Sequence, residues 1–201
     1  MTRFLDENLP ERSIGAVRTI RPGDEFLLAP AEASAFTSCH PSVVRASGAG
    51  RHLARELCRK IGAPVPAIGR QPSRAPVWPR GVVGSISHDA SFAAVVVARG
   101  VGIAGLGVDI EPAEKLPDPA MVPLIASPSE LSAFHDVPVA DKVLFSIKEA
   151  VFKAVNPCDG IFLDFGDISV DRGSFTATTR SLRKVHWRLV AEPRILVIAW
   201  W

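Results

Sequence analysis

The segment from Leu144 to Ala154 constrains the fold more than any other part of the sequence. Its apolar positions recur every three or four residues, the period of an α-helix with one buried face. These positions are Leu144, Ile147, Val151 and Ala154. We predict a main helix from about Val139 to Val155, ended by Asn156-Pro157. Glu149 and Lys153 are four residues apart on the opposite face, and they form either a surface ion pair or part of a binding site.

A second helix is predicted between residues 50 and 61, where one apolar stripe is spaced by four and Gly62 follows. The stripe consists of Leu53, Leu57 and Ile61. Arginines with the same spacing form a basic ridge on another face of this helix. They are Arg51, Arg55 and Arg59. Guanidinium groups match phosphate oxygens in bidentate fashion, so the ridge is either a solvated face or a seat for a polyanionic ligand.

Short apolar runs bounded by turn residues predict strands in both halves of the chain. They span residues 15–20, 82–88, 91–97, 103–110, 167–170, 174–178, 186–191 and 195–201. A short helix is predicted at 31–38, and another helical stretch is predicted to start at 129–131. Each half therefore has a long helix followed by about three strands, which predicts an α+β fold. We place an N-terminal lobe at residues 1–108 and a C-terminal lobe at 109–201. This order of elements allows two related lobes with a site between them.

The predicted strand at 103–110 carries acidic residues at its end. Alternate residues of a strand face the same way, so Asp109 and Glu111 project together. Two carboxylates on one face repel each other unless a cation or a basic group lies beside them. Gly105 and Gly107 in the same strand indicate a bulge or the close approach of another backbone.

The composition restricts the class of protein. The 201 residues are 47% apolar, which is ample for a buried core, and a formal charge of +2 is too small to indicate nucleic-acid binding. The three cysteines are widely spaced and odd in number, a pattern typical of neither a disulfide framework nor a zinc site. The apolar runs are too short to span a bilayer, and residues 1–12 have no signal-peptide core. We therefore expect a cytoplasmic protein that binds neither nucleic acid nor membrane.

Three motifs in a fixed order resemble a known family. They are Gly84-Ser85-Ile86-Ser87-His88, Gly107-Val108-Asp109-Ile110-Glu111-Pro112 and Ser146-Ile147-Lys148-Glu149-Ala150-Val151-Phe152-Lys153-Ala154. With Gly50–Arg55 and Pro76–Pro79 upstream, they closely resemble the 4'-phosphopantetheinyl transferase superfamily, in particular its single-chain branch that serves siderophore and other natural-product synthases. The resemblance implies two similar α/β lobes in a pseudo-twofold arrangement, with coenzyme A bound between them.

The resemblance also implies a reaction. The 4'-phosphopantetheine arm of coenzyme A is transferred to a serine of an apo acyl- or peptidyl-carrier protein, and 3',5'-ADP is released. The implied Mg²⁺ ligands are the carboxylates of Asp109, Glu111 and Glu149. Glu149 would orient or deprotonate the serine, and Lys153 would contact the phosphate and assist the leaving group. Single-chain members are usually monomers, so we expect a monomer.

A set of coenzyme contacts follows from the same resemblance. The implied contacts are Arg45, Arg51, Arg70, Ser87, His88, Asp109, Lys148, Glu149 and Lys153. Arg45 is displaced from the family pattern, and we interpret Arg55 and Arg59 as structural. The choice of carrier protein is expected to depend on the proline-rich loop at residues 112–128 and on neighbouring helix surfaces. The alternatives are a metal-dependent phosphohydrolase acting on a diphosphate and a non-catalytic coenzyme A-binding module.

Overall fold

The computed structural model describes residues 1–100 and 102–201. Its helices are α1 (Thr2–Asn8), α2 (Pro30–Ala33), α3 (Pro41–Lys60), α4 (Val122–Ile125), α5 (Pro128–Ala133) and α6 (Ala140–Asp159), with 3-10 turns at Asp24–Leu27, Ser34–Phe36, Pro119–Met121 and Phe165–Asp167. Its strands are β1 (Ser13–Thr19), β2 (Gly69–Arg70), β3 (Pro76–Val77), β4 (Val82–His88), β5 (Phe92–Arg99), β6 (Leu106–Pro112), β7 (Ile168–Asp171), β8 (Thr176–Thr179), β9 (Lys184–Val190) and β10 (Arg194–Trp200).

The strands form antiparallel sheets, and the predicted α+β class is confirmed. One sheet has three strands in the order β1-β5-β4, another has five in the order β6-β10-β9-β8-β7, and β2 pairs with β3. Strand β6 runs continuously across the predicted lobe boundary at 108/109 and pairs with β10, so a division along the sheets falls before Leu106. The pseudo-twofold relation between the lobes stays a prediction.

Each larger sheet has a long helix packed on one face. Leu53 and Leu57 of α3 pack with Val95 and Val97 of β5. In the other half, the apolar stripe of α6 packs on β10 through residues that include Ile195 and Val197. The sheet faces turned away from these helices share a third core, formed by alternate residues of β5, β6 and β10. Period-two alternation therefore gives each of these strands one face toward a helix and one face toward the other sheet.

Both long helices extend beyond their predicted bounds. Helix α3 starts at Pro41 because the His40 ring accepts the Ser42 N–H and proline is well suited to the first helical position. Helix α6 passes through Pro157 and ends at Gly160, which has a left-handed φ of 63°. The prediction that Asn156-Pro157 ends this helix is wrong. Proline removes one backbone bond, while the Gly160 N–H still closes the last turn on the Asn156 carbonyl at 2.9 Å. Within the described residues, no helix is both long and apolar enough to cross a membrane.

Candidate functional site

Two glycines allow helix α6 to lie directly against strand β6. A Cβ added at Gly107 would be 1.9 Å from the Ala150 carbonyl oxygen, and one added at Gly105 would be 2.0 Å from the Ala154 carbonyl oxygen. Neither gap can hold a side chain, so the predicted close backbone approach is confirmed. Because alternate residues of a strand face the same way, the acidic residues that follow on β6 also face α6.

Asp109 is the centre of a buried polar network. It is 2% exposed, and Ser87 Oγ donates to its Oδ1 at 2.9 Å while Ser146 Oγ donates to its Oδ2 at 2.8 Å. Lys153 Nζ donates to Asp109 Oδ1 at 2.6 Å and to Ser87 Oγ at 3.2 Å. A buried carboxylate needs such partners, and these come from strand β4 and helix α6. The network therefore joins both halves of the chain.

Glu111 of strand β6 has a basic partner on helix α6. Lys142 Nζ is 2.7 Å from Glu111 Oε2, and it also lies 4.9 Å from the centroid of the Phe145 ring. Sequence analysis missed Lys142 and Ser146 as members of this cluster. A polar residue inside the apolar run is the signal that could have identified Ser146, which is fully buried.

Glu149 differs from its acidic neighbours because no hydrogen-bond or ion-pair partner is found for its carboxylate in residues 1–100 and 102–201. Burial raises its pKa above the usual value; the Lys153 ammonium opposes this shift, and the negative charges of Asp109 and Glu111 add to it. Lys153 is paired with Asp109, so the structure does not support a surface ion pair between Glu149 and Lys153. The three carboxylates are close enough for their charges to act on one another.

Glu149 and Lys153 line a cleft of about 550 Å³ between the segment Ser73–Pro76, strand β4 and helix α6. Phe152 and Asn156 of α6 and Gly84 of β4 complete much of its wall. Arg74 lines both this cleft and a neighbouring open groove that also includes Arg70. An anionic ligand in the cleft would therefore meet the positive charges of Lys153 and Arg74.

The predicted phosphate-binding residues of the N-terminal half lie near one another. The Cζ atoms of Arg51 and Arg70 are 4.5 Å and 4.9 Å from the centroid of the same Phe36 ring. Burial, and to a smaller extent the like charge of Arg70, lowers the pKa of Arg51, while Glu32 opposes the shift. At His88, the surrounding protein atoms and then the positive charges of Lys153 and Arg51 lower the pKa. These shifts indicate an electropositive region beside the cleft.

Other predicted coenzyme contacts lie elsewhere or are already paired. Lys148 is buried, and its Nζ donates to Glu130 Oε2 and to the Phe165 carbonyl, both at 3.1 Å. Lys148 and Lys153 are five residues apart on α6, which places them about 140° apart around the helix axis, so they face different neighbours. Arg45 Nε donates to Glu25 at 3.0 Å. The structure thus does not bring Lys148 or Arg45 into the Asp109 network, and we leave both out of the proposed site.

The carboxylates were tested for their fit to a metal ion. Among the described residues, no group of three or more His, Cys, Asp or Glu side chains is already gathered at metal-holding distances. Lys153 and Lys142 each occupy one carboxylate oxygen, of Asp109 and Glu111 respectively. The donors are nevertheless three carboxylates on the facing elements β6 and α6, and hard cations such as Mg²⁺ prefer oxygen ligands. The residue types and their placement fit Mg²⁺, provided that the lysine contacts rearrange.

Comparisons with known families match most of the chain. A family model described as the 4'-phosphopantetheinyl transferase N-terminal domain matches residues 31–98. A second model, described as the 4'-phosphopantetheinyl transferase superfamily, matches residues 105–199. The first match ends at residue 98 near the end of β5 and the second starts at 105 just before β6, which is where the sheets also divide.

Individual relatives agree with these matches. The chain is 37% identical over 161 residues to the 4'-phosphopantetheinyl transferase Svp of Streptomyces mobaraensis, covering 75% of this chain and 65% of the relative. It is 34% identical to PptT of Mycobacterium tuberculosis, covering 60% and 54%, and 35% identical to enterobactin synthase component D of Escherichia coli, covering 70% and 69%. The chain thus spans between about half and two thirds of the length of these relatives. The resemblance to the siderophore and natural-product branch is confirmed, and the chain belongs to the 4'-phosphopantetheinyl transferase superfamily.

Proposed function

We propose that this chain transfers the 4'-phosphopantetheine arm of coenzyme A to a serine of an apo acyl- or peptidyl-carrier protein. The observation that carries this proposal is the position of Glu149, without a hydrogen-bond or ion-pair partner in the described residues, beside the Asp109–Lys153 network on the wall of the cleft. Relatives named 4'-phosphopantetheinyl transferase support the same activity here. In the transfer, a bond forms between the serine oxygen and the β-phosphorus, and the bond from that phosphorus to the bridging oxygen breaks. 3',5'-ADP is the leaving group.

Glu149 is the proposed general base. Its carboxylate has no partner to displace among the described residues, and its raised pKa makes it a better proton acceptor than an ordinary glutamate. The proton of the serine hydroxyl moves to a Glu149 oxygen as the serine oxygen attacks.

Lys153 is the proposed cationic contact to the diphosphate. Its ammonium is partly exposed toward the cleft and lies 2.6 Å from Asp109, so it is already on the cleft wall before metal and substrate bind. A cation that is already oriented stabilises the negative charge that develops on the leaving phosphate. Ser146 and Ser87 keep Asp109 in the orientation that holds this ammonium.

Asp109, Glu111 and Glu149 are the proposed ligands of Mg²⁺, which when bound supplies Lewis-acid stabilisation of charge on the diphosphate oxygens. Arg51, Arg70 and His88 are the proposed contacts to the nucleotide end of coenzyme A. The geometry of Arg51 and Arg70 supports an anion-binding site. Both guanidinium groups lie over the Phe36 ring, and neither has a carboxylate partner in the described part of the chain. Ser87, next to His88 on β4, donates a hydrogen bond to Asp109 and so connects the proposed nucleotide contacts with the proposed metal ligands.

The remaining aspects of the proposal concern the biological setting. We propose two lobes with coenzyme A between them, a monomer, and a cytoplasmic location. Enterobactin synthase component D is among the relatives, so a siderophore or natural-product synthase is the proposed source of the carrier protein. The loop at residues 112–128 packs near α6 through α4 and remains the proposed determinant of carrier choice.

The test is the mass of the carrier protein after incubation with this chain, coenzyme A and Mg²⁺. Wild-type protein should add one phosphopantetheine group, and Glu149→Gln should slow that addition by about 100-fold or more, the usual contribution of a general base. Glu56→Gln is the matched control, since Glu56 is on the exposed part of helix α3. A chelator should abolish the addition. Coenzyme A hydrolysis without carrier modification would favour the phosphohydrolase, and binding without turnover would favour the non-catalytic module.

A further inference from the structure

Phe36 lies beneath two positively charged side chains. The ring is 4% exposed, and the guanidinium carbons of Arg51 and Arg70 lie 4.5 Å and 4.9 Å from its centroid. Attraction between a cation and the negative face of an aromatic ring is significant within about 6 Å. One buried ring therefore contacts both guanidinium groups.

Backbone carbonyls fix the same two arginines from other directions. Arg51 Nε donates to the Ile68 carbonyl at 3.1 Å, and Arg70 Nη1 donates to the Ala35 carbonyl at 3.1 Å. Ala35 immediately precedes Phe36, so the short turn Ser34–Phe36 supplies both the ring and one carbonyl. No other hydrogen bond from either guanidinium group is found among residues 1–100 and 102–201.

Arg51 and Arg70 differ from the neighbouring Arg55 in having no carboxylate partner within the described part of the chain. Arg55, one turn along α3 from Arg51, is neutralised by Glu32, which is fully buried. Arg51 and Arg70 have no carboxylate at ion-pair distance among residues 1–100 and 102–201, although Arg51 is only 6% exposed. Arg51 is buried and Arg70 only partly so, and a desolvated guanidinium with a like charge beside it is unfavourable unless an anion completes the site. Guanidinium forks are well suited to a phosphate group.

We propose that Phe36 is a positioning residue, which holds Arg51 and Arg70 in the geometry of a clamp for a phosphate of coenzyme A. This inference rests on the proposed function, which makes coenzyme A the ligand. The ring offsets the repulsion between the two guanidinium groups in the free protein and fixes their rotamers before binding. Affinity gained in this way comes from preorganisation rather than from contact between Phe36 and the ligand.

The experiment measures calorimetric binding of coenzyme A, and of coenzyme A without its 3'-phosphate, to wild type, Phe36→Leu and Phe36→Tyr. Leucine keeps an apolar side chain but lacks the π-face, so we expect about tenfold weaker binding of coenzyme A, while tyrosine should restore most of the affinity. The KM for coenzyme A should rise by a similar factor and kcat should change by less than about twofold, because the reacting groups are untouched. The penalty should be smaller for the ligand that lacks the 3'-phosphate.

Phe175→Leu is the matched control. It also removes an arginine–ring contact, since Arg188 Cζ lies 5.0 Å from the Phe175 ring, but this ring is 45% exposed and the arginine is on β9 of the five-stranded sheet. This variant should bind coenzyme A as wild type does. Loss of affinity in Phe175→Leu equal to that in Phe36→Leu would overturn the proposal, because it would indicate general destabilisation.

Two outcomes separate this inference from the proposed function. If wild-type protein does not bind coenzyme A, the proposed function is wrong. If wild type binds and Phe36→Leu binds equally well, only the role of Phe36 is overturned. Should Phe36→Leu not fold, phenylalanine with one, two or three ring fluorines at position 36 keeps nearly the same shape and weakens the π-face stepwise. Affinity should then fall with each fluorine, and unchanged affinity would refute the inference.

Discussion

Replacement of Gly107 by alanine tests whether the contact between β6 and α6 sets the geometry of the site. The new Cβ would be 1.9 Å from the Ala150 carbonyl oxygen, so the two backbones must separate by about 1.5 Å before normal contact is restored. Helix α6 has a continuous buried stripe, so we expect it to move as a body. The distance from Lys153 Nζ to Asp109 Oδ1 would then grow from 2.6 Å to beyond hydrogen-bond range.

Two magnitudes follow from this displacement. Overpacking of this kind costs about 1–3 kcal/mol in the free energy of unfolding, which urea titration measures. A misplacement of about 1 Å in a catalytic constellation costs about 100-fold in rate, which the mass of the modified carrier protein reports over time.

Gly166→Ala is the matched control for this prediction. An added Cβ at Gly166 meets no atom within 4 Å, and the backbone φ is outside the left-handed region. We expect this variant to keep both the stability and the rate of wild type. The reasoning is refuted if Gly107→Ala matches Gly166→Ala in both quantities. A Gly107→Ala protein that loses stability but keeps its rate would refute the link between backbone contact and site geometry.

The remaining predictions concern buried charges. Glu130→Gln should lower the free energy of unfolding by about 3 kcal/mol at pH 7, because the buried Lys148 ammonium loses its counter-ion. Burial alone would raise the pKa of Glu130, but backbone hydrogen bonds and Lys148 bring it below the ordinary 4.5. The contribution of Glu130 to the free energy of unfolding is therefore present above pH 4.5 and is lost as the pH falls through the lowered pKa. Urea unfolding at decreasing pH should therefore show the two proteins converging, and a constant difference would contradict the assignment. Arg55→Met should cost about 3–5 kcal/mol because it leaves the buried Glu32 unpaired. Arg59→Met should cost less than about 0.5 kcal/mol, because Arg59 is 68% exposed; equal losses in the two arginine variants would contradict the difference in burial.

Local patterns in the sequence predicted the elements that carry the site. Apolar spacing of three or four residues identified both long helices, and short apolar runs bounded by turn residues identified β4, β5 and β6. Glycines at 105 and 107 indicated a close backbone approach, which the contacts to α6 confirm. The ends of elements were less predictable. Helix α6 continues past Pro157 because Gly160, with a left-handed φ, caps its last turn.

The sequence by itself determined the chemical groups of the site and the faces on which they lie, because helix and strand periods follow from covalent geometry and local sterics. Only the tertiary structure decided which groups meet. Lys153 pairs with Asp109, 44 positions away, and Lys148 pairs with Glu130 in a buried position. A periodic pattern indicates which side of an element is buried but carries no information about which distant residue covers it. The contact of Arg51 and Arg70 with the Phe36 ring likewise depends on how a short turn packs against α3 and β2.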